Sequence, residues 1–350
     1  MIDSGAMPAK KFLESEVYMN SRMRLVVSIG LLGLFCLMLP GSLRADAAGQ
    51  QVGYLYSGGT FTTISVPGAT FFTTASGIND AGQIVGTYGV GDGKTQGFVD
   101  NGGVFTTISV PGARDTIANG INDAGQIVGD QIVGKTIQGF VDNGGTFTTI
   151  SVPGATITEA NGINDAGQIV GTYFTAAVDG KTQTQGFVDN GGVFTTISVP
   201  GATNTEANGI NDAGQIVGLQ VSAFETGAGF LYSGGTFTTI SVPSTTDTIA
   251  NGINDAGQIV GSVVLPGPFP GAGFLYSGGT FTRISVPPAG FTDAMGINDA
   301  GQIVGDHIPS VPVPSVPEPG TLTLELAGIV IIAAAATLLR RNQERNGQAV

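Results

Sequence analysis

The chain has 350 residues and a formal net charge of −13, and only 11% of it is Asp, Glu, Lys or Arg. Gly reaches 57 residues, yet 41% of the chain is hydrophobic, which excludes a solvated low-complexity polymer and favours packed strands separated by tight turns. Between Ala48 and Pro319 there are 20 acidic and 5 basic residues, so no basic stripe exists and nucleic acid is excluded as a partner.

The first expected element is a leader. Arg22 and Arg24 precede an apolar run from Leu25 to Leu39, and Ala45-Asp46-Ala47 follows as an A-x-A site. This pattern predicts a secretory signal peptide over residues 1–47, cleaved after Ala47, with Met23 as the expected true start. An uncleaved anchor is the alternative, but the run is short for a full span. Cys36 is the one cysteine and lies in this leader, so the mature chain forms no internal disulfide. A lipoprotein site is excluded because Phe35, not a small residue, precedes Cys36.

Residues 48–307 are a repeat. The string G-I-N-D-A-G-Q-I-V-G begins at Gly77, Gly120, Gly162, Gly209, Gly252 and Gly296. A second string, F-T-x-I-S-V-P, begins at Phe61, Phe105, Phe147, Phe194, Phe237 and Phe281 and keeps step with the first. Short apolar runs bounded by Asn-Asp-Ala-Gly and Asn-Gly-Gly or Ser-Gly-Gly predict two hairpins per unit, hence four strands. Four strands in such a unit match a propeller blade. The segment Gly53–Pro67 is a second hairpin lacking a first, and Gly296–Asp306 is a first hairpin lacking a second. Joined, they complete one unit and leave no free sheet edge. The expected fold is therefore an all-β, six-bladed β-propeller closed by its N- and C-terminal strands. An open β-solenoid is the alternative, and it would need capping units at its ends.

The G-I-N-D-A-G-Q-I-V-G units resemble the HAF family of extracellular repeats over about Gly53 to Asp306. That family lends no settled activity.

Strand alternation places the Asn-Asp-Ala-Gly and Asn-Gly-Gly turns on one face of the ring and the variable loops on the other. The variable loops carry Lys94, Arg114, Lys135, Lys181, Glu159 and Glu206, which are the candidate ligand-contacting residues because binding groups concentrate on variable loops. The repeated turn aspartates, from Asp80 to Asp299, admit a metal hypothesis. The simpler expectation is that each Asn-Asp turn bonds to itself, so no metal site and no cofactor are assigned. His307 is the sole histidine and is expected in a solvated linker. Near-identical units offer few distinct groups for an asymmetric catalytic centre, so no catalytic residue is assigned.

The tail follows. Residues 308–320 form a Pro-rich linker ending in Val316-Pro317-Glu318-Pro319-Gly320. Residues 321–341 predict a transmembrane helix, with Arg340 and Arg341 as a basic stop that stays cytoplasmic, and 342–350 a cytoplasmic tail. Box, span and arginines resemble the PEP-CTERM sorting signal over Val316 to Arg341. The resemblance implies recognition of Pro317, Glu318 and Pro319 by an exosortase after export, and an association with extracellular polysaccharide. A plain C-terminal anchor is the alternative. The expected function is an exported structural or adhesive protein of the cell envelope or extracellular matrix. A ligand-, glycan- or cation-binding module is the second hypothesis, and a propeller hydrolase or lyase the third.

Overall fold

A computed structural model describes residues 50–309 apart from 177–182, 223–226, 266–270 and 288–289. The expected leader, linker and transmembrane helix lie outside the described residues. Among those described, no helix is long and apolar enough to cross a membrane, and the helical content is one 3-10 turn, Gly91–Gly93.

The strands follow the apolar runs. In the unit that starts at residue 157, the innermost strand is Ile157–Ile163, the second Ile169–Thr175, the third Gln183–Asn190 and the outer one Val193–Ile197. All neighbours in it pair antiparallel. Outer strands such as Thr146–Ile150 alternate exposed and half-buried residues and bury only the final Ile. Innermost and second strands are buried on both faces, and the innermost ones bury polar residues such as Thr158, Glu159 and Asn161 among the apolar and small ones.

Each innermost strand carries a bulge, as between Ala160 and Gly162, and a glycine opposite it makes the bulge possible. A Cβ on Gly171 would stand 2.0 Å from the Glu159 carbonyl oxygen and 2.7 Å from the Phe187 ring. Only a bare Cα lets the bulged carbonyl and the Phe side chain converge there. This is the structural meaning of the glycine in every Q-I-V-G string.

Six hydrophobic clusters lie between units rather than within them. One joins Val128, Ile150 and Val152 of one unit to Ala160, Ile163, Tyr173 and Phe187 of the next. The cluster joining the last unit to the first has the same make-up, with Val304, Ile64 and Val66 against Ala75, Ile78 and Phe98. Burying one such Phe contributes about 1.5–3 kcal/mol, so each unit depends on its neighbours for most of its core.

The chain ends pair as expected. Val52–Ser57 lies between Thr60–Ile64 and Ile303–Ile308, and Phe291–Ile297 completes that four-stranded sheet. Tyr54 occupies the place that Phe98 and Phe187 hold elsewhere, and its hydroxyl donates to the Asp293 carbonyl oxygen at 2.9 Å. The sequence predicts separate four-stranded sheets throughout. The structure instead has four of them and one eight-stranded sheet. There a single parallel pair, Thr184↔Asn204, stitches two neighbouring groups of four strands together. The third strand of one group and the innermost strand of the next approach closely enough at that end for one ladder contact.

Candidate functional site

The tightest convergence of polar groups lies on the axis at the Asn-Asp-Ala-Gly turns. In each turn the Gly N–H donates to the Asn carbonyl, as Gly167 does to Asn164 at 3.0 Å. The Asn side chain completes the turn: Asn164 Oδ1 accepts the Gln168 N–H at 2.9 Å, and its Nδ2 donates to Gln168 Oε1 at 3.0 Å. That much is the expected self-bonding turn.

The same groups also reach the next turn. Asn164 Nδ2 donates to the Asn211 carbonyl at 3.1 Å, and the Asp165 N–H donates to Asp212 Oδ1 at 2.8 Å. The pattern repeats through every unit. It closes when Asn298 Nδ2 donates to the Asn79 carbonyl at 3.1 Å and the Asp299 N–H to Asp80 Oδ1 at 2.8 Å. Six turns are thereby linked into two hydrogen-bonded rings, one of buried asparagines and one of exposed aspartates.

Inside the rings is an open depression of about 90 Å³ lined by Ile-Asn-Asp from each of the six turns. Ligand pockets are typically several hundred Å³, so this depression is small and shallow beside them. Its asparagine amides and aspartate N–H groups are already spent on neighbouring turns. Among the described residues no group of three or more His, Cys, Asp or Glu is arranged to hold a metal ion.

The residues singled out on the opposite face separate into two classes. Lys94, Arg114 and Lys135 are exposed there, and Arg114 pairs with Asp115, Nε to Oδ2 at 2.7 Å. Glu159 and Glu206 are not loop residues. They lie within the innermost strands Ile157–Ile163 and Asn204–Ile210 and are only 4% and 7% exposed. The innermost strand starts two residues before each Glu, which draws the side chain into the sheet. Lys181, Val316, Pro317, Glu318, Pro319, Arg340, Arg341, Ala45 and Ala47 lie outside the described residues. His307 is buried within Ile303–Ile308 rather than in a solvated linker, and its Nδ1 has no hydrogen-bond partner. Burial pushes its pKa below the ordinary value. Burial, reinforced by the Asp293 and Asp306 carboxylates, holds the Tyr54 hydroxyl well above its ordinary pKa.

No protein-family model matches the chain. No curated protein matches it in sequence. Solved structures do resemble it. A protein assigned as TolB from Agrobacterium tumefaciens superposes with a TM-score of 0.53 at 12% identity, covering 76% of this chain and 100% of its own. The chain is a β-propeller. More distant likenesses are the propeller domain of the Trilobed protease from Pyrococcus furiosus (TM-score 0.46, 12% identity, 69% of this chain and 75% of that one) and the fucose-binding Aleuria aurantia lectin (TM-score 0.41, 12% identity, 71% and 99%). At 12% identity the first of these likenesses shows the fold and nothing more specific.

Proposed function

We propose that the chain is an exported, non-enzymatic scaffold of the cell envelope or extracellular matrix, built as a propeller of six blades and delivered by a removable C-terminal sorting tail. The blade count rests on treating the eight-stranded sheet as two blades joined by one ladder contact, and six linked turns agree with it. The observation that carries the scaffold reading is the closed double ring of Asn and Asp turns. In every unit the Asn Nδ2 and the Asp N–H and Oδ1 of the turn fasten one blade to the next, which is what a load-resisting module without disulfides requires. The tail assignment rests on the Val316-Pro317-Glu318-Pro319 box, the apolar run after it and Arg340-Arg341. Exosortase recognition and an association with extracellular polysaccharide follow from that resemblance.

Cell fractionation with and without residues 316–350 tests delivery. The full chain is expected in the envelope fraction or the extracellular matrix, and the truncated chain free in the periplasm or medium. Identical distribution of the two would overturn the sorting assignment.

A further inference from the structure

Among the described residues the two faces of the propeller differ in charge, while each carries two exposed large apolar residues, Val104 and Val193 at the turn face and Phe71 and Val133 at the loop face. The turn face carries the six exposed turn aspartates, and Asp100, Asp142 and Asp189 at its outer hairpins. None of the four described Lys and Arg residues lies on it. Three of them, Lys94, Arg114 and Lys135, stand together on the loop face of the first two blades after the closing one.

Hydrogen bonds hold this group in place. The Thr95 N–H donates to Asp115 Oδ1 at 2.9 Å, which sets Lys94 beside the Arg114–Asp115 pair. The Arg114 N–H donates to the Ile132 carbonyl at 2.8 Å, which sets Arg114 beside the turn carrying Lys135. The described acid here is Asp115, which is buried and occupied by these bonds.

Two of the large apolar residues exposed on the protein belong to the same patch. Val133 is 45% exposed and lies two residues from Lys135. Phe71 is 58% exposed, on a loop whose Thr70 N–H donates to the Gly89 carbonyl, and Gly89 pairs with Thr95. Hydrogen bonds and strand pairing therefore place the segments carrying Phe71, Lys94, Arg114, Val133 and Lys135 side by side. The described chain also enters and leaves by this face. Its first strand, Val52–Ser57, starts there and Ile303–Ile308 ends there, because both turn faces of their hairpins point the other way.

We infer that this patch is a membrane-surface contact that lays the loop face on anionic phospholipid, with the acidic turn face directed away. Three cations suit lipid phosphates, and an exposed Phe and Val suit the boundary between headgroups and acyl chains. A soluble acidic polysaccharide would meet the cations but would leave Phe71 and Val133 without a partner. The aspartate-rich opposite face is repelled by the same surface, so orientation follows from charge alone. The proposal rests on the envelope reading only for the identity of the membrane.

The test uses the full chain with Cys36→Ser and one probe position, Val133→Cys or, as control, Val104→Cys, which is equally apolar, 68% exposed and on the turn side. Each is labelled with an environment-sensitive fluorophore and mixed with phosphatidylcholine vesicles, with or without phosphatidylglycerol. The Val133 probe is expected to shift to the blue with phosphatidylglycerol and the Val104 probe to stay unchanged. Lys94→Gln and Lys135→Gln should each weaken the response on the order of fivefold, since each cation near such a surface contributes about 1 kcal/mol. Pelleting with the vesicles, repeated on the chain lacking residues 316–350, separates the tail from the contact. A chain that pellets with a silent Val133 probe overturns the contact and leaves the tail reading standing. A Val133 response and pelleting that are unchanged without residues 316–350 keep the contact and show that the tail adds nothing to vesicle binding. Equal responses at Val133 and Val104, or a Val133 response to dextran sulfate but not to phosphatidylglycerol, also overturn it.

Discussion

Single residues show how little slack the repeat has. Gly171→Ala would drive a methyl group into the Glu159 carbonyl, 2.0 Å away, and the bulge has no room to relax because Phe187 closes the other side. We expect a loss of roughly 3 kcal/mol or more, read as a large fall in melting temperature. The opposite sign is expected at Ser244. It holds a φ of 66°, the position filled by Gly68, Gly112, Gly154 and Gly201 in other units. Ser244→Gly should stabilise by about 1 kcal/mol by removing the left-handed penalty of a side chain.

His307 makes the protein sensitive to acid in a defined direction. Its folded pKa lies below the unfolded value near 6.5, so the unfolded chain binds its proton first. The stability it contributes is present above about pH 6.5 and is lost as pH falls through the folded value. Melting temperatures measured down this range should fall more steeply for the native protein than for His307→Gln, a residue that occurs at the equivalent Gln131 and Gln220. Parallel curves would show that His307 is not the group responsible.

At the scale of the element, the Asn-Asp turn both closes a hairpin and joins a neighbour. Asn164→Ala would remove two donor contacts and one acceptor contact of a side chain only 3% exposed. A cost of about 2–4 kcal/mol is expected, since the Asn211 carbonyl and the Gln168 N–H are left without these partners. Asp165→Ala, on the exposed ring, should cost less than about 1 kcal/mol. Paired denaturation curves of the two variants check the ranking, and an equal cost would contradict the division into a buried structural ring and an exposed solvated one.

For the whole molecule, closure is the decisive act. The strands Val52–Ser57 and Thr60–Ile64 complete a sheet whose other half is more than 230 residues away, as the Tyr54-to-Asp293 bond spans 239 positions. Deleting residues 50–67 would bare the edge of Ile303–Ile308 and remove Ile64 and Val66 from the cluster against Phe98. Such an edge invites pairing with another chain. We expect the deletion variant to be oligomeric or aggregated in size-exclusion chromatography where the intact propeller is monodisperse.

Much of this was legible in the residues. The two repeated strings specify strand, turn and period by local chemistry, and the half-units at either end imply closure because an unpaired edge is costly. Asn79 and its equivalents were readable as turn formers for the same local reason. What the residues could not reveal is what depends on the neighbouring unit. No local rule places the Asn164 amide on the Asn211 carbonyl, draws Glu159 and Glu206 into the sheet, or buries His307. Nor could pattern alone assemble Phe71, Lys94, Arg114, Val133 and Lys135 into one patch. Those positions are set by how far each blade turns about the axis and how closely its inner strand meets the next, and that spacing exists only once the ring has closed.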